Sequence, residues 1–199
     1  MPGKRELRKQ LHDIRDDLTD RQVETYSKAI HRKINSLEVF QRAQTVHMYL
    51  PIANRNEVDT MPIARQLLGE KRTVVVPVTL FNEHSLKHVY LKQLDNLITN
   101  KWNVPEPPEP HHDSVSLEEL DLVLVPMLGG DDQGNRIGYG KGYYDRFLKK
   151  VDCPKMGLIF DCCLVEKIPT EHHDVVLDYV VTERRIIKSK RDSDEVKRG

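Results

Sequence analysis

The chain has 199 residues, enough to bury a full core as one large domain or a tight pair of layers. Its 31 Lys+Arg are balanced by 31 Asp+Glu, which excludes the basic excess of a dedicated nucleic-acid binder while leaving room for a local basic pocket. No run reaches the roughly 18 apolar residues of a membrane span. The opening segment Met1–Leu7 has no apolar signal region, so a cytoplasmic protein is expected. The three cysteines, Cys153, Cys162 and Cys163, fit a reducing compartment. Adjacent Cys162 and Cys163 make a poor disulfide and read as buried free thiols.

In chain order, residues 3–17 read as a helix with Leu7, Leu11, Ile14 and Leu18 forming one apolar stripe. Lys4 and Arg8 share one face of it. Thr19 or Asp20 is placed to cap a second helix over about 20–37, with Val23, Tyr26, Ile30, Ile34 and Leu37 inward. Thr45–Leu50 is a β-favouring run ending at Pro51. A polar loop, Ile52–Asp59, leads to a helix capped by Thr60 and stopped by Gly69. Thr73–Val78 is apolar on both faces and reads as a buried strand, completing a β–α–β unit of parallel strands. A shorter strand covers Lys87–Leu91. Residues 101–114 form a stiff Pro-rich connector that starts with the sole tryptophan, Trp102.

The strand Asp121–Pro126 runs into the most informative stretch, Gly134–Arg146, and from there into a helix over Tyr143–Lys150. Four of the chain's ten glycines fall here: Gly134, Gly138, Gly140 and Gly142. Arg136 and Lys141 add positive charge. Strand, glycine-rich basic loop and helix is the layout that aims backbone N–H groups and a helix dipole at phosphate. The density of charge and aromatics sets it apart from a plain surface turn. It is neither standard phosphate motif. A Walker A loop requires glycine where Asn135 stands, and the Gly138, Gly140, Gly142 spacing misses the dinucleotide fingerprint. Asp145, in the first turn of the following helix, suits that helix terminus, and beside phosphates it suits magnesium. Further strands are Lys155–Phe160 and Leu177–Val181, separated by a polar loop at Thr170–Asp174. The tail from about Lys188 is charged, and a disordered segment over 188–199 is expected after one domain at 1–187.

Alternating strands and helices define an α/β layered fold with a mostly parallel sheet. Ligands of such sheets gather beyond the strand carboxyl ends, where the loops 52–59, 127–141 and 161–175 converge. The pairs His111–His112 and His172–His173 lack helical i, i+4 spacing and do not form a zinc site. No spacing suggests a Ser-His-Asp or Cys-His triad, and phosphoryl transfer needs none.

The run Asn135-Arg-Ile-Gly-Tyr-Gly-Lys-Gly-Tyr-Tyr-Asp-Arg146 resembles the signature of the 5-formyltetrahydrofolate cyclo-ligase family, also called 5,10-methenyltetrahydrofolate synthetase. The resemblance extends to Lys4–Arg8, Glu57, Trp102–Pro107 and Val181–Glu183, in the right order. The chain departs from it at Met127, where the family often has glycine, and at Gly130, where it often has an aromatic residue.

The resemblance implies the fold of the ribose-phosphate isomerase and CoA-transferase group. It also implies ATP-dependent cyclisation of 5-formyltetrahydrofolate through phosphorylation of the formyl oxygen, with Mg2+. Lys4, Arg5 and Arg8 are then expected on the nucleotide together with Gly134, Asn135, Arg136, Ile137, Gly138, Tyr139, Gly140, Lys141 and Gly142. Arg136 and Lys141 act in transfer. Leu50 and Glu57 meet the folate, while Trp102 and Tyr143 are placed to stack on its rings. Asp145 and Asp174 are expected at the metal.

Expected partners are the two small-molecule substrates, with no nucleic acid and no membrane, for a monomer or weak homo-oligomer. The rival readings are a non-catalytic nucleotide- or folate-binding regulator and a sugar-phosphate isomerase or CoA transferase; ATP consumption separates them.

Overall fold

Five short apolar runs become the parallel heart of one sheet. The computed structural model describes residues 3–109, 115–172 and 174–189. Helices α1 (Lys4–Asp16), α2 (Asp20–Asn35) and α3 (Glu38–Arg42) precede strand β1 (Thr45–His47). Helix α4 (Met61–Gly69) crosses to β2 (Thr73–Leu80), which turns into β3 (Ser85–Tyr90). A small hairpin follows, β4 (Ile98–Thr99) with β5 (Pro105–Glu106). Strand β6 (Leu122–Pro126) leads to a second hairpin, β7 (Gly129–Gly130) with β8 (Arg136–Ile137), and then to α5 (Tyr143–Leu148). Strands β9 (Lys155–Leu158), β10 (Tyr179–Val181) and β11 (Ile186–Lys188) complete the order.

The seven-stranded sheet runs β11-β10-β9-β6-β1-β2-β3. The inner five are parallel, and β3 and β11 close the edges antiparallel. The expected α/β class and the parallel β1–α4–β2 unit are both present. Alternation along the strands splits the core into two layers. Val46, Val74, Val76, Leu122 and Leu124 face α2 and α4, meeting Ile30, Ile34, Ile63 and Leu67. Val75, Val123, Val125 and Val180 face the other way, onto Phe147 and Leu148 of α5. Both faces are covered, which is why these strands read as unbroken apolar runs.

The ends of the helices differ in detail from expectation. Thr19 caps α2 with a full capping box, its hydroxyl and Gln22 exchanging bonds. Thr60 does not cap α4. Its hydroxyl donates to the Tyr49 carbonyl at 2.7 Å, and Asp59 instead accepts from the Met61 N–H at 2.9 Å. On α1 the inward stripe is Leu7, Leu11 and Arg15, while Ile14 is 40% exposed. A periodicity reading favours the apolar residue at 14; the helix turns the arginine inward because partners await it. Cys163 is buried as expected, but Cys162 is exposed, with the two sulfurs 4.0 Å apart.

The C-terminal boundary also moves. Lys188 ends β11, and Ser189 is buried with its N–H donating to the Asp178 carbonyl at 2.9 Å. The ordered chain therefore reaches at least Ser189, and the rest of the expected tail, 190–199, lies outside the described residues. Deleting 190–199 is expected to leave the melting temperature unchanged within error. Deleting 186–199 removes an edge strand and Ser189, and is expected to lower it by several degrees. Coincident melts for the two truncations would contradict this.

Candidate active site

Helix α1 clamps the glycine loop. Its Leu7 and Leu11 pack with Leu128, Ile137, Cys163 and Ile168, so the β7–β8 hairpin lies beneath the helix. Arg8 then reaches over the loop and donates from Nε to the Gly138 carbonyl at 3.1 Å. A Cβ on Gly140 would stand 3.2 Å from the Arg8 guanidinium, and Gly140 has φ +81°. Glycine is required there by both close approach and conformation. Lys141 follows, exposed, with its ammonium 5.9 Å from the Trp102 ring centroid. Gly142 starts α5.

Two cations expected on the nucleotide are paired with the two carboxylates expected at the metal. Arg136 donates to Asp145, and Lys4 donates to Asp174 at 2.6 Å. The Arg136 side chain is only 6% exposed, and its buried Nε has no partner among the described residues. Burial lowers the pKa of this guanidinium, and the neighbouring Asp145 raises it. Asp145 and Asp174 line the same cleft. Among the described residues no group of three or more His, Cys, Asp or Glu side chains is set to hold an ion alone. Two hard carboxylates beside two cations suit the donor chemistry of magnesium, which takes one or two carboxylates and fills its shell with other oxygens and water.

Glu57 occupies the other part of the site. It is 8% exposed and closed in by Tyr49, Tyr139 and Arg15. Its Oε2 accepts from the Ile52 N–H at 2.7 Å and its Oε1 from the Tyr139 hydroxyl at 2.5 Å. Burial is the largest influence and pushes its pKa up, against those hydrogen bonds and the charges of Arg15 and Arg55. Tyr139 therefore turns its side chain to the carboxylate, although its backbone belongs to the glycine loop.

The β4–β5 hairpin brings Trp102 to the cleft. Asn100 shapes the tip, accepting from the Trp102 N–H at 2.8 Å and the Val104 N–H at 3.2 Å. Buried Glu106 ties the hairpin to β2 through the Thr79 N–H at 2.8 Å. Trp102 meets Phe81 and Tyr143 edge to face, with centroids 4.6 and 5.6 Å apart. The segment expected to be a plain connector is thus a folded arm, although 110–114, including His111 and His112, lie outside the described residues, as does His173.

One cleft of about 810 Å³ lies beyond the carboxyl ends of β6, β1 and β2, where ligands of such sheets bind. Lys4, Arg8, Leu50, Glu57, Trp102, Arg136–Tyr143, Asp145 and Asp174 border it. Of the described residues of the 161–175 loop, only Asp174 lines it.

Three residues named for the nucleotide do not line the cleft. Arg5 is exposed away from the cleft. Gly134 has φ +85°, and a Cβ there would lie 2.2 Å from the Ser189 hydroxyl and 2.5 Å from the Leu177 carbonyl, so it serves packing against the C-terminal segment. Asn135 is bound to Asp131 at 2.9 Å. The departures at Met127 and Gly130 are linked: a Cβ on Gly130 would meet Met127 Cε at 2.4 Å, and one on Gly157 would meet its Sδ at 2.3 Å. The methionine fills the space over both glycines.

Residues the sequence reading missed are Arg15, Lys9, His12 and Arg55, Lys101 on the arm, and Tyr144. Arg15 alone left a signal, at the i+8 position from Leu7 on the apolar face.

An α/β protein that gathers a basic glycine loop, two carboxylates and a buried acid into one cleft is in the class of nucleotide-using small-molecule enzymes. The sequence profile of the 5-formyltetrahydrofolate cyclo-ligase family matches residues 1–183. The Escherichia coli K12 protein named 5-formyltetrahydrofolate cyclo-ligase is 33% identical over 148 residues, covering 72% of this chain and 80% of that one. The mouse protein of the same name is 28% identical over 192 residues, covering 91% and 94%. The solution structure of Aquifex aeolicus 5,10-methenyltetrahydrofolate synthetase superposes with a TM-score of 0.82 at 28% identity, covering 94% of this chain and 93% of that one. The chain belongs to the 5-formyltetrahydrofolate cyclo-ligase family.

Proposed function

We propose that the chain catalyses the ATP-dependent cyclisation of 5-formyltetrahydrofolate to 5,10-methenyltetrahydrofolate, with release of ADP and phosphate. The observation that carries this reading is the single cleft that joins a cation-lined glycine loop to a buried carboxylate. At about 810 Å³ it stands at the upper end of the roughly 300–1,000 Å³ of ordinary ligand sites, which suits two substrates meeting end to end.

The formyl oxygen attacks the γ-phosphorus, and ADP leaves. The formyl carbon, now double-bonded to N5 and carrying a phosphate, is electrophilic. N10 adds to it, the carbon–oxygen bond breaks, and phosphate departs, taking up in net terms the proton lost from N10. Little of this is covalent chemistry for the protein, so its contribution is position and charge.

Lys141, Arg136, Arg8 and Lys4 hold the phosphates. Asp145 and Asp174 would hold magnesium, which neutralises phosphate charge when bound. The ion pairs between these two groups keep the cleft compensated. A nucleotide carrying its cation replaces each partner with another of the same sign, so no buried charge is stranded. Glu57 accepts from the pterin's N–H donors and Leu50 packs on the ring, with Trp102 and Tyr143 offering aromatic faces. No helix among the described residues is long and apolar enough to cross a membrane. That and the charged surface favour a cytoplasmic enzyme of small-molecule substrates.

The test is to mix the protein with 5-formyltetrahydrofolate, ATP and magnesium and follow methenyl absorbance and ADP together. The two products are expected in equal amounts. Methenyl product at full rate in excess chelator, or without ATP, would sink the reading.

A further inference from the structure

An arginine is seldom buried without a partner, and Arg15 is 3% exposed. Its Nη2 donates to the Tyr139 hydroxyl oxygen at 2.8 Å, and that hydroxyl donates to Glu57 Oε1 at 2.5 Å. A guanidinium has donors only, so the phenol oxygen must accept from it, and the phenol's own hydrogen is directed to the carboxylate. The order Arg15, Tyr139, Glu57 is thereby fixed. The same helix is tied to Glu57's loop from below: Asn56 Nδ2 donates to the carbonyls of Arg15 at 3.0 Å and Leu18 at 2.9 Å. Asn56 adopts φ +46° there. Helix α1 thus grips the glycine loop with Arg8 and the buried acid with Arg15.

We propose that Arg15 is a positioning residue for folate recognition, acting through Tyr139 to aim the Glu57 carboxylate at the pterin ring. This rests on the reading of Glu57 as the acid that meets the folate. The groups facing Glu57 are Arg15 from α1, Arg55 from its own loop, Tyr139 from the glycine loop, Tyr49 after β1 and Tyr144 from α5. Burial raises the pKa of all three phenols, and Glu57 adds to that rise. Arg15 and Arg55 are therefore the only cations among these groups that oppose the burial of the carboxylate. Without Arg15 that burial is less opposed, and Glu57 takes up its proton at a higher pH. A protonated Glu57 loses acceptor capacity, so the loss of folate binding should be larger at lower pH and shrink as pH rises.

The experiment is calorimetric titration of 5-formyltetrahydrofolate into the full chain, without ATP, at a series of pH values from neutral to alkaline. Arg15→Met and Tyr139→Phe are each expected to weaken binding roughly tenfold near neutrality, the scale of one hydrogen bond to a charged group. Because one acts through the other, the double variant should bind no more weakly than the weaker single. Arg15→Lys should recover part of the loss. ATP affinity should stay unchanged in the Arg15 variants, since Arg8 and Lys4 are untouched. Tyr139 is 37% exposed, so Tyr139→Phe keeps the test open if Arg15→Met folds poorly. Additive losses, or an Arg15→Met loss that is the same at every pH, would overturn the proposal and leave Arg15 a strut of the helix. Glu57→Gln in the same series separates the two levels. If it binds folate normally, the reading of Glu57 fails; if it weakens binding and Arg15→Met does not, the relay alone fails.

Discussion

Lys141→Ala is expected to lower kcat by roughly 10²–10³, the scale for losing one preorganised electrostatic donor. The lysine sits between Gly140 at φ +81° and Gly142 at φ +71°, with no Cβ on either side of it to crowd a ligand. Among the described residues, Trp102 lies within cation–π range of its ammonium and no carboxylate bridges to it. That contrasts with Arg136 and Lys4, which Asp145 and Asp174 hold. A cation free to follow charge as it moves onto the bridging and equatorial oxygens gains strength as the barrier is climbed. The KM for ATP should change much less, because Arg8, Lys4 and Arg136 still grip the ground state. Lys141→Arg should restore only part of the rate, since a planar guanidinium does not replace a compact ammonium in a tight loop. Steady-state kinetics on both variants, with melts to confirm folding, checks this. A large rise in KM with kcat untouched would make Lys141 a ground-state tether.

Asp131→Ala is expected to cost about 3 kcal/mol of stability or more, through unpaired buried donors. Asp131 is fully buried. Its Oδ1 accepts from the N–H groups of Gln133 at 3.0 Å and Asn135 at 2.9 Å. Its Oδ2 accepts from Asn135 Nδ2 at 2.9 Å and the Ile168 N–H at 3.0 Å. Every partner is a donor, so Asp131→Asn is no rescue: the new amide nitrogen would face two N–H groups. The carboxylate closes the turn between β7 and β8 and pins it to the loop after β9, so losing it loosens the hairpin that carries Arg136. For a chain of this size the melting point should fall by roughly 6–12 °C. Turnover should fall more than folding accounts for at low temperature. A melting point within about 1 °C of the parent would show that the turn closes without the carboxylate.

These two residues mark what the sequence made legible. Lys141 stands in a run whose glycines, charges and flanking strand and helix are all local, so its chemistry shows in the order of residues. Asp131 lies only a few positions upstream, but its role depends on Ile168, which no local pattern connects to it. Arg15 was hidden for a related reason. Periodicity assigns a charged side chain to solvent and an isoleucine to the core, and the helix reverses that choice because Tyr139 and Glu57 supply partners from distant loops. Glu57 and Leu50 were placed by resemblance, and the geometry sets both on the cleft. The Trp102 arm escaped because two-residue strands leave no periodic trace, and its turn depends on Asn100 and Glu106. The sheet was the most readable part, since strands covered on both faces are apolar without interruption.

The central claim is that this cleft activates the formyl oxygen by phosphorylating it, and an isotope reports on that directly. The substrate is 5-formyltetrahydrofolate carrying ¹⁸O in its formyl group, turned over with unlabelled ATP and magnesium and analysed by mass spectrometry of the released phosphate. Each released phosphate is expected to carry the label, and ADP none. Unlabelled phosphate, with the isotope recovered in water, would contradict it, because the formyl oxygen would then have left without ever meeting the γ-phosphorus.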